Sequence, residues 1–219
     1  MDKKEIFEEQ FHLEKKNYLK KLDFIDWYRF YYIIKEVINS EPENILEIGE
    51  GSGVVKNCLS PLVKEYKTLD VNKNLNPDFL SDIKDFKNEL KGKFQCIIAA
   101  DVLEHLPFFD FGKSVRNIYD YLSEGGEAII TIPHRRSHFL FMTPIQKPHV
   151  FTVPTGFLSP GAFYRRFIKR RIWIDPNHYW EIGDGKVKKK DVESVFEKVG
   201  FKINDFKKLI YVDFWVLKK

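Results

Sequence analysis

Ile45-Leu46-Glu47-Ile48-Gly49-Glu50-Gly51-Ser52-Gly53-Val54-Val55 decides how this chain folds: a short run of strand character meets three glycines at alternate positions and then a helical pattern. A largely apolar run without regular alternation suits a parallel strand covered on both faces. Glycines at that point let the backbone turn sharply and approach a ligand at the carboxyl end of the strand. Downstream the rhythm repeats. Strands are expected over 45–48, 66–69, 79–80, 94–100 and 128–132, with helices over 54–65, 85–90 and 111–122 between them. That is the order of stacked βαβ units around a mostly parallel sheet, an α/β fold. Ser60-Pro61 should kink or shorten the first helix, and Gly125-Gly126 suits the end of the third. Beyond residue 185, a helix over 189–199 capped by Gly200 and strands over 201–205 and 209–217 predict a closing hairpin. Upstream, 3–39 reads as helical, with Phe7, Phe11, Tyr18, Leu22 and Ile25 leading into a dense aromatic run, and Asn39-Ser40-Glu41-Pro42 ends it.

Asp70 falls at the end of the second strand, about 20 residues after the glycines, where a carboxylate accepts hydrogen bonds from both ribose hydroxyls. An adenosine-type cofactor is therefore implied. A nicotinamide fingerprint would carry its third glycine at position 54, and that residue is Val54. A nicotinamide-dependent oxidoreductase is accordingly the weaker alternative.

With Glu47 two residues before the first glycine, Glu47-Ile48-Gly49-Glu50-Gly51-Ser52-Gly53 resembles motif I of the class I S-adenosylmethionine-dependent methyltransferases. Three further stretches resemble that family in order: Asp70; Ser81-Asp82-Ile83; and Ala100-Asp101-Val102-Leu103-Glu104-His105-Leu106. The run from Leu122 to Pro133 resembles its fifth-strand unit. The likeness is to the small-molecule branch of types 11 and 23. It implies a Rossmann-like, mostly parallel seven-stranded sheet with helices on both faces and a C-terminal β-hairpin. It also implies S-adenosylmethionine as cofactor, held by Glu47, Gly49, Gly51, Gly53, Asp70, Asp82, Ile83, Ala100 and Asp101. Read as plain chemistry, Glu47 suits an ammonium group, and Asp70 and Asp82 suit ribose hydroxyls and the adenine amino group. Asp82 equally suits a helix N-cap, and Asp70 a turn. In the family the N-terminal helices often close the cofactor from the other side. A helical cap over 1–40 is therefore expected ahead of the domain over 41–219, with Trp27, Tyr28 and Arg29 the residues to watch and Arg29 a partner for the cofactor carboxylate.

Methyl transfer needs alignment and exclusion of water more than a strong acid, although an oxygen or nitrogen acceptor profits from a base near neutral pH. Of six histidines, His134 follows the fifth strand at the edge where an acceptor would stand. His178, in Asn177-His178-Tyr179-Trp180-Glu181, resembles a His-x-x-Glu element found there in many small-molecule methyltransferases. These two are the candidate catalytic residues, with structural hydrogen bonding the plain alternative for both. His105 and the helix-start acids read as support for the loop. No Asn-Pro-Pro-Tyr tetrad follows the fourth strand, which disfavours methylation of nucleic-acid amino groups, and no His-Glu-x-x-His spacing occurs, so no metal is expected.

The chain has 219 residues, 43% of them hydrophobic, enough for one substantial domain carrying an insertion. Its balance of 36 basic and 32 acidic residues excludes a polyanion-coating polymer. Charge is unevenly spread, however. From His134 to Trp173 there is no acid against eight basic residues, so this segment is +8 and the remainder 4 − 8 = −4. An acceptor-side insertion is expected over about 134–185, its Pro144, Pro148 and Pro154 marking an adaptable wall or lid. Within it, 161–173 reads as a basic amphipathic helix, with Phe163, Tyr164, Phe167 and Ile168 on one side and Arg165, Arg166, Lys169 and Arg170 on the other. Three readings fit it: a lid over an anionic or lipid-linked small acceptor, a peripheral membrane contact, or an ordinary surface helix. A long polyanion such as nucleic acid would be repelled by the acidic remainder. A non-catalytic membrane- or polyanion-binding protein on the same fold is the other alternative. Cys58 and Cys96 lie in apolar stretches that read as core, and the sequence offers no h-region of a signal peptide, so a cytoplasmic location is expected.

Overall fold

The computed structural model describes residues 12–142, 148–154, 160–169 and 174–219. Among the described residues two helices, α1 (Lys15–Lys21) and α2 (Phe24–Ser40), precede β1 (Asn44–Ile48), α3 (Val54–Leu59), β2 (Glu65–Asp70), β3 (Phe79–Leu80) and β4 (Phe94–Ala100). Then come α4 (Phe108–Tyr121), β5 (Leu122–Pro133), a separate hairpin of β6 (Arg136–Met142) and β7 (Pro148–Pro154), α5 (Lys189–Val199), β8 (Lys202–Lys208) and β9 (Val212–Lys218). The main sheet has seven strands in the order β3-β2-β1-β4-β5-β9-β8. Strands β1 to β5 pair in parallel, and β9 runs antiparallel to both β5 and β8. This is the expected α/β architecture, C-terminal hairpin included. The strand order reverses at β1, between β2 and β4, which opens a crevice at their carboxyl ends.

Alternate residues of each strand feed two cores. Leu46, Ile48, Ile97, Ala99, Ile130 and Ile132 pack with Phe111, Val115 and Ile118 of α4 and Val192 and Phe196 of α5. Their neighbours Ile45, Cys96, Ile98, Ile129, Phe214 and Val216 pack with Phe30, Ile33 and Val37 of α2 and Val54, Val55 and Leu59 of α3. A slip of one residue in any central strand would exchange these faces, so the register is fixed by burial.

Several boundaries depart from the sequence reading, each for a visible reason. The N-terminal helix is interrupted, because Asp23 caps α2: its Oδ1 accepts from the Ile25 and Asp26 amides at 2.8 and 3.0 Å while Asp26 accepts from the Asp23 amide. Residues 1–11 of that expected helix lie outside the described residues. Ser60-Pro61 ends α3 in one 3₁₀ turn. No α-helix forms over 85–90, where a 3₁₀ turn at Asn88–Leu90 stands instead. There Asn117 donates to the Ile83 carbonyl at 2.7 Å, and the Lys87 amide donates to Tyr121 Oη at 2.7 Å, so α4 supplies partners that a helix would have supplied internally. Gly125 and Gly126 do not cap α4. They sit within β5, where the pairing jumps from Phe94–Leu122 to Cys96–Glu127 and Gly125 takes φ +71°. Over 134–185 the adaptable wall is in part an antiparallel β6–β7 hairpin, and the expected helix is a turn, Pro160–Phe163, widening to a π turn at Tyr164–Ile168. Residues 170–173 and the side chains of Arg165 and Arg166 lie outside the described residues. Cys96 is buried as expected, whereas Cys58 is exposed on the outer side of α3.

Candidate functional site

A cavity of about 320 Å³ occupies the crevice, floored by the carboxyl ends of β1, β2 and β4 and roofed by side chains of α1 and α2. This size falls at the lower end for small-molecule sites. The glycine loop forms its base. Gly49 takes φ +75° and its amide donates to the Leu69 carbonyl at 2.9 Å, tying the loop to β2. A Cβ built there would stand 2.4 Å from Val102 Cγ2, so only glycine fits. At Gly51, φ +46°, a Cβ would meet nothing nearer than Tyr18 Cδ1 at 3.8 Å, and bare backbone therefore fronts the cavity. Gly53 stands behind it as the N-cap of α3.

Carboxylates line the same cavity. Glu47 is buried near the end of β1 and accepts from Tyr66 Oη at 2.8 Å. Burial pushes its carboxyl up to about 8, and the Glu50 charge adds to this, while the Tyr66 bond and the Lys56 and Lys15 charges act the other way. Asp70, at the end of β2, accepts the Asn72 amide on Oδ1 at 2.8 Å, and burial raises its pKa as well. Asp82 accepts the Lys84 amide at 2.9 Å, with the Lys84 ammonium 3.3 Å from its other oxygen. It caps a turn, therefore, and still lines the cavity beside buried Ile83.

At the end of β4, Ala100 and Asp101 form the opposite wall. Asp101 is one of three non-glycine residues at positive φ among the described residues, at +55°, and it has three partners: the Arg29 guanidinium, Tyr211 Oη at 2.9 Å and Thr131 Oγ1 at 2.6 Å. Buried Arg29, from α2, also lies 3.5 Å from Asp26. This network fastens α2 and the β8–β9 turn to the end of β4. Trp27 is largely exposed and Tyr28 meets Tyr32, so of the three watched residues Arg29 alone lines the cavity.

Glu47, Gly49, Gly51, Asp70, Asp82, Ile83, Ala100, Asp101 and Arg29 thus converge on one cavity. The candidate histidines do not. His134 is buried away from it, its Nε2 3.3 Å from the Leu209 carbonyl and 3.9 Å from Asp213. His178 sits one layer behind the wall, its ring 4.8 Å from that of His105, which does line the cavity. Tyr18, Tyr66, Tyr211 and Thr131 were not legible as site residues. Tyr211 reaches Asp101 across 110 positions of chain, and no spacing encodes that contact.

A family model described as a methyltransferase domain matches residues 26–205. The chain belongs to this methyltransferase family. It is a class I S-adenosylmethionine-dependent methyltransferase, with S-adenosylmethionine as its cofactor. No curated protein matches this methyltransferase significantly. Solved structures share its fold. The N-methyltransferase NodS of Bradyrhizobium japonicum, in complex with S-adenosylhomocysteine, is 14% identical, with 100% of this chain and 99% of that one covered at a TM-score of 0.63. An S-adenosylmethionine-dependent methyltransferase of Clostridium acetobutylicum is 14% identical over 91% and 93% of the two chains, with a TM-score of 0.57. The 1,6-didemethyltoxoflavin N1-methyltransferase of Burkholderia thailandensis, with its substrate and S-adenosylhomocysteine bound, is 10% identical over 87% and 76%, with a TM-score of 0.55. At these identities the likeness is one of fold. No helix among the described residues of the methyltransferase is long and apolar enough to cross a membrane.

Proposed function

We propose that this methyltransferase moves a methyl group from S-adenosylmethionine to an oxygen or nitrogen atom of a small anionic or lipid-linked metabolite. The observation that carries the proposal is the division of one cavity between carboxylates and bare glycine backbone at the β1–β2 side and the Arg29–Asp101 network with His105 at the β4 side. The donor set fits the cofactor: Glu47 for the amino group of its methionine moiety, Asp70 for the ribose hydroxyls, Asp82 and Ile83 for adenine, with Gly49 and Gly51 giving the close backbone approach. When bound, the cofactor supplies a methyl group on a positively charged sulfonium. What the chain adds is placement. Leu69, Ile83, Val102 and Leu106 keep the cavity walls apolar and exclude water, and Arg29, Tyr211 and Thr131 hold Asp101 in its left-handed conformation at the transfer end.

The acceptor class is argued from charge. The acid-free, +8 stretch follows β5, whose carboxyl end lies at the same edge of the sheet as those of β1, β2 and β4, and clustered positive charge near that edge favours an anionic acceptor. A lipid-linked acceptor draws support from a second observation: Phe163, Tyr164, Phe167 and Ile168 are 42–62% exposed, an apolar surface next to basic residues that suits a bilayer interface. The test is incubation of the protein with methyl-labelled S-adenosylmethionine and fractions of a cell extract, followed by mass spectrometry. Label in an anionic small-molecule or lipid fraction is expected. Label confined to protein or nucleic acid would overturn the acceptor class, and sedimentation with anionic vesicles separates the lipid-linked case from the free metabolite.

A further inference from the structure

Behind the β4 wall lies a cluster that chain spacing did not reveal. Glu104, in the 3₁₀ turn Leu103–His105, is 0% exposed, and neither of its carboxylate oxygens receives a hydrogen bond from another described residue. Its neighbour His105 and the distant His178 each bring a ring nitrogen to it, and the three ligand atoms lie within 4.8 Å of one another. Both rings are oriented from behind. His105 Nδ1 lies 2.9 Å from the Asn177 carbonyl, which can only accept, so this nitrogen carries the proton and Nε2 keeps a lone pair. His178 Nδ1 lies 2.8 Å from Glu181 Oε1, leaving its Nε2 free to face Glu104 Oε1 at 3.9 Å. Glu181 is in turn held in place by the Arg135 guanidinium and by the Asp175 amide, which donates to it at 2.9 Å. An imidazole fixed by a carboxylate or carbonyl on its far nitrogen is the arrangement that orients metal-binding histidines. Asp101, three residues before Glu104, is committed to Arg29, Tyr211 and Thr131 and takes no part.

We infer that Glu104, His105 and His178 form a binding site for one divalent first-row transition cation at the inner wall of the cofactor cavity. Two imidazole nitrogens and one carboxylate suit Mn²⁺, Fe²⁺, Co²⁺ or Zn²⁺ better than Ca²⁺ or Mg²⁺, which prefer all-oxygen sets. Bonds of about 2.1 Å would bring the donor atoms to within about 3.4 Å of each other, so binding would draw the three side chains together. Three protein donors leave positions open to a ligand, and His105 carries the site to the cavity lining. On the proposed function, an oxygen-bearing acceptor would be held there; cation binding itself does not depend on that reading.

The test uses the full chain stripped with a chelator and titrated with Co²⁺, Zn²⁺ and Mn²⁺, with Mg²⁺ for comparison. Visible absorption of bound Co²⁺, calorimetric stoichiometry and a thermal-shift curve are the readouts. One equivalent is expected, weakened at least a hundredfold in Glu104→Gln and in His178→Ala, and 10–100-fold in the positioning variant Glu181→Gln. S-adenosylhomocysteine affinity, measured on the same samples, reports on folding. If Glu104→Gln does not fold, the more exposed His178→Ala decides. Cofactor-product binding without metal binding, or metal binding indifferent to these variants, overturns the inference and leaves the proposed function standing. Metal binding without S-adenosylhomocysteine binding does the reverse.

Discussion

Cofactor binding should release a proton, and Glu47 is the group that loses it. In the ligand-free protein its carboxyl is held at about 8 by burial. At pH 7 only about one molecule in eleven then carries the charge, and ionising the rest costs about 1.4 kcal/mol. An ammonium group brought to Glu47 reverses this preference, because a charge within about 4 Å in a dry site favours the ionised carboxylate. Binding is therefore coupled to deprotonation, and affinity for S-adenosylhomocysteine should rise about ninefold from pH 6 to 7 and a further fivefold or so from 7 to 8 before levelling. The opposite sign holds for stability without ligand. The folded state binds this proton more tightly than the unfolded chain, so stability falls as pH rises from the ordinary value of 4.5 to about 8. The assay is calorimetric titration at pH 7 in buffers of different ionisation enthalpy, whose slope should give close to one proton released. Tyr66→Phe removes the hydrogen bond at 2.8 Å that favours the carboxylate, and should move the rise to higher pH by about one unit. Glu47→Gln should abolish proton release and weaken binding at pH 8 about 10–100-fold, the value of one charge-assisted hydrogen bond. Buffer-independent heats together with a flat affinity from pH 6 to 8 would refute the reasoning.

Three further outcomes follow from the geometry. Asp70→Ala should weaken S-adenosylhomocysteine binding by about 1–3 kcal/mol with little change in thermal stability, as calorimetry and melting curves can show together. Gly49→Ala places a Cβ 2.4 Å from Val102 Cγ2 at φ +75°, so it should lower stability by more than the 1–2 kcal/mol of left-handed strain alone; Gly49→Ala with Val102→Ala should recover the clash but not the strain, as read by urea unfolding. Arg29→Met leaves the Asp101 carboxylate without its cation and should cost about 3 kcal/mol, part of which Asp101→Asn restores in the double variant.

The sequence exposed those features of the fold that local chemistry decides. Gly200 ends α5 because the left-handed cap, φ +116°, falls to glycine, and Pro61 ends α3 because it has no amide to give. The β1–β2 side of the cavity was equally open to reading, since Glu47, the glycines and Asp70 lie at the ends of consecutive strands, where chain order and spatial order agree. Features decided by tertiary partners were hidden. The stretch at 85–90 loses its helix to hydrogen bonds from Asn117 and Tyr121, which are distant in sequence, and the Gly125-Gly126 pair serves a break in strand pairing that only the β4–β5 register reveals. His134 looked well placed at the end of β5, but its side chain packs under Leu209 and beside Asp213 instead of into the cavity. Glu104 and His105 were visible as neighbours, yet the ring that joins them comes from residue 178, near the far end of the expected insertion.

A crystal of the protein soaked with S-adenosylhomocysteine bears most directly on whether the crevice beside the glycine loop is the nucleoside site. The account predicts density along Gly49 to Gly51 with the ribose hydroxyls on Asp70 and the amino group on Glu47. A ligand seated elsewhere, or a crevice still empty at saturating ligand, would contradict it.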